Sequence, residues 1–134
     1  MSNRIKISSG TKWEDIVGYS RAVRVGNRIL VSGTTSIEND KIIGEGDYYM
    51  QTKTILQKIE KALNEAGSKI EDVVRTRMYV TDISKWQDVG KAHGEFFKGI
   101  KPVTSMIEVS AFIDQKMLVE IEAEAILDEK EYNL

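Results

Sequence analysis

The residues from Met117 to Leu127 alternate between apolar and polar side chains, and this alternation restricts the fold more strongly than any other part of the sequence. One side of the run carries Met117, Val119, Ile121, Ala123, Ala125 and Leu127. The other side carries Leu118, Glu120, Glu122, Glu124 and Ile126. A period of two is that of a β-strand with one buried face. The pattern therefore predicts a strand that lies on a core and presents three carboxylates on its opposite face.

Other stretches have the composition of strands. They are Arg4–Ser8, Arg21–Val25, Arg28–Ser32, Val73–Thr81 and a run that begins at Pro102 and ends before the polar patch Asp114-Gln115-Lys116. Gly26-Asn27 is a two-residue link typical of a β-hairpin. Residues 33–46 are polar and rich in glycine, and we interpret them as a loop.

Two segments have the pattern of helices. Asp47 is a plausible N-cap for a helix that reaches Ala66, with an apolar stripe of Ile55, Ile59, Leu63 and Ala66 and with Gly67 at its C-terminus. A second helix is predicted to start at a capping box, Ser84-Lys85-Trp86-Gln87, and to run to Lys98. Its inner face is expected to carry Trp86, Val89, His93, Phe96 and Phe97.

The predicted order is β-β-β-α-β-α-β-β, in a single domain of residues 1–134. This order favours an α+β fold in which two helices cover one face of a mixed β-sheet. The other face carries apolar as well as charged residues, so we expect self-association to bury it. Arg75 and Arg77 share a face of their strand, and we expect them to pair with Glu122 and Glu124 across the sheet.

The composition excludes several classes of protein. The chain is 41% hydrophobic and 30% charged, which is typical of a soluble globular protein. It has no cysteine, so disulfides, thiolate nucleophiles and cysteine-based metal sites are excluded. A net charge of −2 argues against nucleic acid as a partner. Neither a membrane-length apolar run nor a signal peptide is recognisable, and we expect a cytoplasmic protein.

Five short motifs occur in a distinctive order. They are Gly18-Tyr19 before a hairpin that ends at Ser32-Gly33, Ala66-Gly67 after the long helix, Asp72-Val73-Val74-Arg75-Thr76, Phe96-Phe97 at the end of the second helix, and Val119-Glu120-Ile121-Glu122-Ala123. In these motifs and their spacing the chain resembles the RidA (YjgF-type) family of small enamine/imine deaminases. The resemblance extends over nearly the whole sequence.

The resemblance implies a chorismate-mutase-like fold and a homotrimer with three clefts, each lined by two subunits. It implies that Glu120 positions the water that attacks an imine carbon, as a carboxylate can orient and deprotonate water. It also implies that Tyr19, Ser32 and Gly33 shape the pocket for a small molecule, without a cofactor or a metal.

The position at which the family carries its substrate-binding arginine is Thr104, and the residue two further on is Met106. A guanidinium binds a carboxylate through two parallel hydrogen bonds, whereas a threonine hydroxyl offers one neutral hydrogen bond. We therefore expect Thr104 and Met106 to line a pocket with altered specificity, in which 2-iminoacids are poor substrates. Strand alternation places Arg21 on the same side as Tyr19, and we hypothesise that Arg21 supplies the missing cation.

Three functions from different classes follow from this comparison. The first is hydrolytic deamination of a small enamine or imine, with Glu120 as the catalytic residue. The second is a non-catalytic trimer that binds a small metabolite in the same cleft. The third, RNA cleavage or inhibition of translation, is disfavoured by the net charge and by a lone histidine, His93, that we interpret as a core or interface residue.

Overall fold

The computed structural model of the chain describes residues 4–128. Its strands are β1 (Arg4–Ile7), β2 (Ala22–Val25), β3 (Arg28–Thr34), β4 (Ile37–Glu38), β5 (Lys41–Ile42), β6 (Val73–Val80), β7 (Val103–Glu108) and β8 (Val119–Ile126). Its helices are α1 (Lys12–Val17), α2 (Tyr48–Glu65) and α3 (Trp86–Phe97). Single turns of 3₁₀-helix lie at Ile70–Asp72 and Ile83–Lys85.

Six of the strands form one sheet in the order β1-β2-β3-β8-β6-β7. Neighbouring strands are antiparallel except β6 and β7, which run parallel. A parallel pair requires a crossover connection, and α3 supplies it. The helices α2 and α3 pack against each other, and α2 packs on β3 and β8. The predicted α+β fold, a mixed sheet with two helices over one face, is confirmed.

The core lies between this face of the sheet and the two long helices. Val119 and Ile121 of β8 are completely buried, while Glu120, Glu122 and Glu124 alternate with the buried residues on the opposite face, so the predicted alternation is confirmed. Ile55, Ile59 and Leu63 of α2 are also completely buried, as the predicted stripe requires. The core therefore joins the strand and the helix whose periodicities are clearest in the sequence.

Two elements lie in segments where the sequence predicts none. The helix α1 follows β1, and a small β4–β5 hairpin occupies the segment interpreted as a loop. The hairpin turns at Asn39 and Asp40, both of which have positive φ. Asparagine and aspartate tolerate this conformation better than most residues, which suits the tight turn between the two strands.

The starts of the long helices differ in how well the sequence predicts them. Asp47 caps α2 as predicted, since its side chain accepts a hydrogen bond from the Met50 backbone N–H. The predicted capping box at Ser84 is wrong: Asp82 accepts hydrogen bonds from the N–H and the hydroxyl of Ser84 and caps a 3₁₀ turn instead. The α-helix begins later, at Trp86, and that indole is 55% exposed rather than on the inner face.

The face of the sheet without helices combines ion pairs with exposed apolar side chains. Arg75 and Arg77 lie 3.8 and 3.6 Å from the Glu124 carboxylate, which confirms their predicted pairing across the sheet for Glu124. The Tyr79 hydroxyl donates to Glu122 at 2.6 Å. Exposed apolar side chains stand among these polar groups: Leu30, Val103, Ile107 and Ile126. This face is the surface for which the sequence predicts self-association.

Candidate functional site

A cavity of about 520 Å³ opens where β3 ends and β8 begins. Four of the predicted site residues line it: Tyr19, Arg21, Gly33 and Glu120. Its apolar wall comes from α1, from residues 111–113 and from the segment before β8, and includes Trp13, Val17, Ile113 and Met117. The helix α2 contributes Lys58. The cavity therefore combines an apolar wall with a few ionisable groups, which is the usual make-up of a small-molecule site.

Glu120 lies directly against Gly33. A Cβ atom added to Gly33 would lie 2.7 Å from Oε2 of Glu120 and 2.9 Å from its Cδ. The register between β3 and β8 shifts between Val31 and Thr34, so Gly33 lies in an irregular part of the pairing. Such irregularities re-aim side chains at the ends of strands. The absence of a side chain at position 33 is what allows the carboxylate to occupy this place.

The surroundings of Glu120 disfavour its charged form relative to that of an exposed carboxylate. Burial raises the pKa of this carboxyl, the charge of Glu122 raises it further, and the charge of Arg21 opposes both. A half-buried carboxyl with a raised pKa can exchange protons closer to neutral pH than an exposed one. This property suits a residue that must both accept and return a proton.

Arg21 is held by acceptors of the protein itself. Its Nη1 donates to the Gly33 carbonyl at 2.8 Å and to the Thr34 hydroxyl at 2.9 Å. Its guanidinium lies 5.6 Å from the centre of the Tyr19 ring, so the two residues share a side, as predicted. The residue is only 9% exposed. Arg21 thus forms part of the cavity wall and fixes the end of β3.

Glu14, on α1, is a buried carboxylate that the sequence analysis does not identify. It accepts hydrogen bonds from the hydroxyls of Ser8, Ser9 and Thr11 and from the Ser9 backbone N–H, and it lies 4.0 Å from Nε of Arg21. Burial acts to raise the pKa of this carboxyl, but the hydrogen bonds together outweigh burial and lower it. Glu14 therefore stays charged beside Arg21 and anchors α1 to the segment before it.

Lys58 is the second ionisable residue that the sequence analysis misses. Its Nζ donates to the carbonyls of Thr35 and Ile37 at 2.7 and 2.6 Å. Burial lowers the pKa of this amine to about 8, the charge of Arg21 acts in the same direction, and Glu38 opposes them. A signal does exist in the sequence, because Lys58 lies three residues after Ile55 and four before Ala62, at the edge of the apolar stripe.

Three predicted site residues do not line the cavity. The Ser32 hydroxyl donates to the Ser20 carbonyl at 2.7 Å and joins β3 to the segment before β2. Met106 packs against the core from β7. Thr104, also on β7, accepts a hydrogen bond of 2.7 Å from the hydroxyl of Thr76. Both β7 residues lie on the edge strand of the sheet, separated from β8 by β6.

His93 lies behind Thr104, inside the core. Its Nε2 is 2.8 Å from the Thr76 hydroxyl, and its ring is 4.6 Å from that of Phe97. Burial lowers the pKa of the imidazole to about 4. His93 is therefore a neutral core residue at pH 7, in agreement with its interpretation from the sequence.

Neither a metal centre nor a membrane-spanning helix is evident in the described part of the chain. Within residues 4–128, no group of three or more histidine, aspartate or glutamate side chains is arranged to hold a metal ion. The helices in the same residues are too short or too polar to cross a membrane.

Residues 10–127 match the family model described as endoribonuclease L-PSP. The chain belongs to the YjgF/RidA family. An uncharacterized protein of Streptomyces coelicolor is 42% identical over 120 residues, which cover 90% of each chain. A RutC family protein of Pyrococcus abyssi is 36% identical over 78% of this chain and 83% of its own.

Solved structures agree with this assignment. The crystal structure of a YjgF/YER057c/UK114 family member from Mycobacterium tuberculosis has a TM-score of 0.85 and 50% identity, and the match covers 92% of this chain and 99% of that one. A Yersinia pestis protein of the Rid family has a TM-score of 0.82 and 29% identity, over 92% and 99% of the two chains. The fold is thus that of the YjgF/RidA family along almost its whole length.

This YjgF/RidA protein holds its predicted site residues in two separate groups. One group, around Glu120, lines the cavity at the end of β3 and β8. The other group, Thr104 and Met106, lies on β7. Glu120 of β8 pairs with Tyr79 of β6, whereas Thr104 of β7 pairs with Thr76, which lies earlier in β6. The two site residues therefore lie on different strands and at different positions along the strand direction. A single chain does not bring the two groups into one pocket.

Proposed function

We propose that this protein is a hydrolase that deaminates a small, reactive enamine or imine in a cleft shared by two subunits of a homotrimer. The observation that carries the proposal is the Glu120 carboxyl, which rests against Gly33 at a cavity of about 520 Å³ and has a raised pKa. Membership of the YjgF/RidA family and the retention of Glu120 in the last strand support it. In keeping with the absence of cysteine, we place the protein in the cytoplasm.

Glu120 would act first as a base and then as an acid. Its carboxylate accepts a proton from a water molecule as the water oxygen forms a bond to the imine carbon, and the electrons of the C=N bond move to nitrogen. The Glu120 carboxyl then returns the proton to that nitrogen. Glu120 then takes the proton of the carbinolamine hydroxyl and passes it to the nitrogen. As the C–O bond becomes C=O the C–N bond breaks, and the nitrogen, which now carries three hydrogens, leaves as ammonia. The balance is imine plus water to carbonyl compound plus ammonia.

The separation of the two groups of site residues supports a cleft shared between subunits, and the family resemblance implies that the assembly is a trimer. If Thr104 and Glu120 act on one ligand, they must come from different subunits, because one chain holds them on different strands and at different levels. The apolar side chains on the uncovered face, among them Leu30, Val103 and Ile107, provide surface for such an association. Light scattering on the purified protein tests this directly. A monomer mass at micromolar concentration would contradict the shared cleft.

The substrate is expected to lack a carboxylate next to the imine. Thr104 offers a neutral hydroxyl where the family resemblance implies an arginine, and Arg21 donates to Gly33 and Thr34. A planar guanidinium fork in the right place is what makes binding of a carboxylate strong. We therefore expect neutral imines, such as those of simple ketones, to be hydrolysed in preference to 2-iminoacids.

The test compares the wild type with Glu120→Gln and Thr104→Arg. Imines of both kinds are generated in situ, the 2-iminoacid by a serine lyase, and ammonia release is followed above the spontaneous rate. We expect the wild type to act on the neutral imine, Glu120→Gln to lose about two orders of magnitude or more in rate, and Thr104→Arg to gain activity on the 2-iminoacid. Equal rates for the wild type and Glu120→Gln would refute the assignment of Glu120.

A second candidate is a non-catalytic trimer that binds a small metabolite. The observation that favours it is that Arg21, a cation of the cavity wall whose charge acts on Glu120, donates to acceptors of its own chain. The same variants separate the two functions. A binding protein would bind its ligand with an affinity that Glu120→Gln alters, and it would show no turnover that this substitution abolishes.

A further inference from the structure

Lys58 combines three features that the deamination chemistry does not use. It lines the cavity that holds Glu120, and it also lines a neighbouring cavity of about 440 Å³ between β1, α2 and the β4–β5 hairpin. Its Nζ is fixed in position by two backbone carbonyls. Its long side chain is half-buried, although lysine side chains usually extend into water.

The hydrogen bonds of Nζ can all be made by the neutral form of the amine. A neutral amine has two N–H donors and one lone pair, whereas an ammonium has three donors. The carbonyls of Thr35 and Ile37 accept two hydrogen bonds, at 2.7 and 2.6 Å. When the amine is neutral both of its N–H groups are satisfied, and the lone pair is directed away from these carbonyls.

The charges around Lys58 also favour the neutral amine. Arg21 lies close enough to disfavour a second positive charge, and Glu38 only partly compensates for it. The pKa of about 8 means that roughly a tenth of the amine is neutral at pH 7, compared with less than a thousandth for an exposed lysine. Lys61 and Glu65 line the neighbouring cavity and carry opposite charges. Neither is among the charges that shift the pKa of Lys58.

We propose that Lys58 is a nucleophilic amine that captures small aldehydes or ketones in this cavity as an imine. Lysine amines held neutral in partly apolar sites form such adducts with carbonyl compounds. The wall formed by Trp13, Val17 and Ile113 suits a small carbonyl compound with an apolar substituent. This site goes beyond the deamination described above and does not depend on it, because capture requires no turnover.

The chemical steps balance without an oxidant or a reductant. The lone pair of Nζ forms a bond to the carbonyl carbon, and the electrons of the C=O bond move to oxygen. One proton moves from nitrogen to that oxygen to give a carbinolamine. The hydroxyl then takes a second proton, from solvent, and leaves as water. The product is an iminium ion that retains one N–H to bond a backbone carbonyl, and water reverses the reaction.

The experiment is reductive trapping followed by peptide mapping. Wild-type protein is incubated at pH 7 with propanal and sodium cyanoborohydride, and separately with pyruvate as an anionic probe. The extent of alkylation at each lysine is then measured by mass spectrometry. We expect Lys58 to be alkylated by propanal at least about tenfold faster than Lys53, because Lys58 lines the cavity that would hold the carbonyl compound and burial lowers its pKa to about 8. Lys53 is a suitable reference, since it lies on the same helix and lines neither cavity.

Two substitutions separate a reactive amine from a purely structural one. Lys58→Arg keeps a donor for the two carbonyls but cannot form an imine, and the fast alkylation should disappear. Lys53→Arg should leave that alkylation unchanged. The proposal is overturned if, in folded wild-type protein, neither propanal nor pyruvate alkylates Lys58 faster than Lys53. Because this comparison is made within the wild type, it stands even if Lys58→Arg fails to fold, and it remains informative if no deaminase activity is found.

Discussion

The buried imidazole of His93 makes the stability of the fold depend on pH in a way that can be calculated. In the folded protein burial lowers the pKa of His93 to about 4, whereas in the unfolded chain it is expected near the ordinary value of 6.5. Between these values the unfolded chain binds a proton that the folded protein does not bind. The contribution to stability is therefore complete above pH 6.5 and is lost as the pH falls toward 4. The difference corresponds to about 3 kcal/mol.

The test is urea unfolding of the wild type and of His93→Gln at several pH values from 7 to 4. With an unfolding slope of about 2 kcal/mol per molar urea, the wild-type midpoint should fall by roughly 1.5 M more than that of the variant over this range. Any loss of packing in His93→Gln lowers its stability at every pH and cancels in this comparison. Carboxylates such as Glu14 titrate in both proteins and cancel as well.

A direct measurement accompanies the unfolding experiment. His93 is the only histidine in the sequence, so protein without a tag gives a single imidazole signal in NMR spectra. That signal should show no titration between pH 7.5 and 5.5. An NMR titration midpoint near pH 6.5 in the folded protein would refute the conclusion that His93 is a neutral core residue. Equal losses of stability in the wild type and His93→Gln on acidification would refute it as well.

Two further predictions concern the cavity. Gly33→Ala places a methyl group 2.7 Å from the Glu120 carboxylate, and a displacement of this group by about 1 Å should lower turnover by about 10- to 100-fold while stability changes by less than about 1 kcal/mol. Gly99→Ala, whose methyl group meets no atom within 4 Å, is the matched control, and unchanged turnover in Gly33→Ala would contradict the role of this contact. Arg21→Gln should lower the free energy of unfolding by about 1–3 kcal/mol and raise the pKa of Glu120, whose charge Arg21 stabilises. Urea midpoints and the pH dependence of turnover check both effects, and an unshifted pH profile would contradict the electrostatic one.

The parts of the fold that the sequence predicts well are those in which local periodicity and burial agree. The strand β8 alternates over its whole length, and the apolar stripe of α2 coincides with the buried side chains. The helix α1 could not be predicted in this way, because six residues without a clear apolar stripe have little helical preference of their own. The buried Glu14 and its hydrogen bonds to the preceding segment fix that helix, and no periodicity reveals such bonds.

The candidate site is predictable to the extent that it lies on one pair of neighbouring strands or just beside it. Gly33 and Glu120 meet because β3 and β8 are neighbours, and Arg21 precedes the strand paired with β3. Lys58 reaches the same cavity from α2, and its distance in sequence from the other residues conceals the contact. The link from Thr104 through Thr76 to His93 depends on how α3 packs over β6 and β7, which is a tertiary property.

The hydrogen bonds that join His93, Thr76 and Thr104 all run in one direction from donor to acceptor. A hydroxyl carries one hydrogen, and Thr76 gives its hydrogen to Thr104, so its contact with His93 requires the imidazole to carry a hydrogen on Nε2. The Thr104 hydroxyl accepts from Thr76 and keeps its own hydrogen to donate to another group. The three side chains thus form a chain of hydrogen bonds in which each donates to the next, from His93 in the core to Thr104 at the surface. At its outer end, on the exposed edge strand, the protein presents one uncharged donor, and the partner that suits it is a single lone pair, such as that of a carbonyl oxygen.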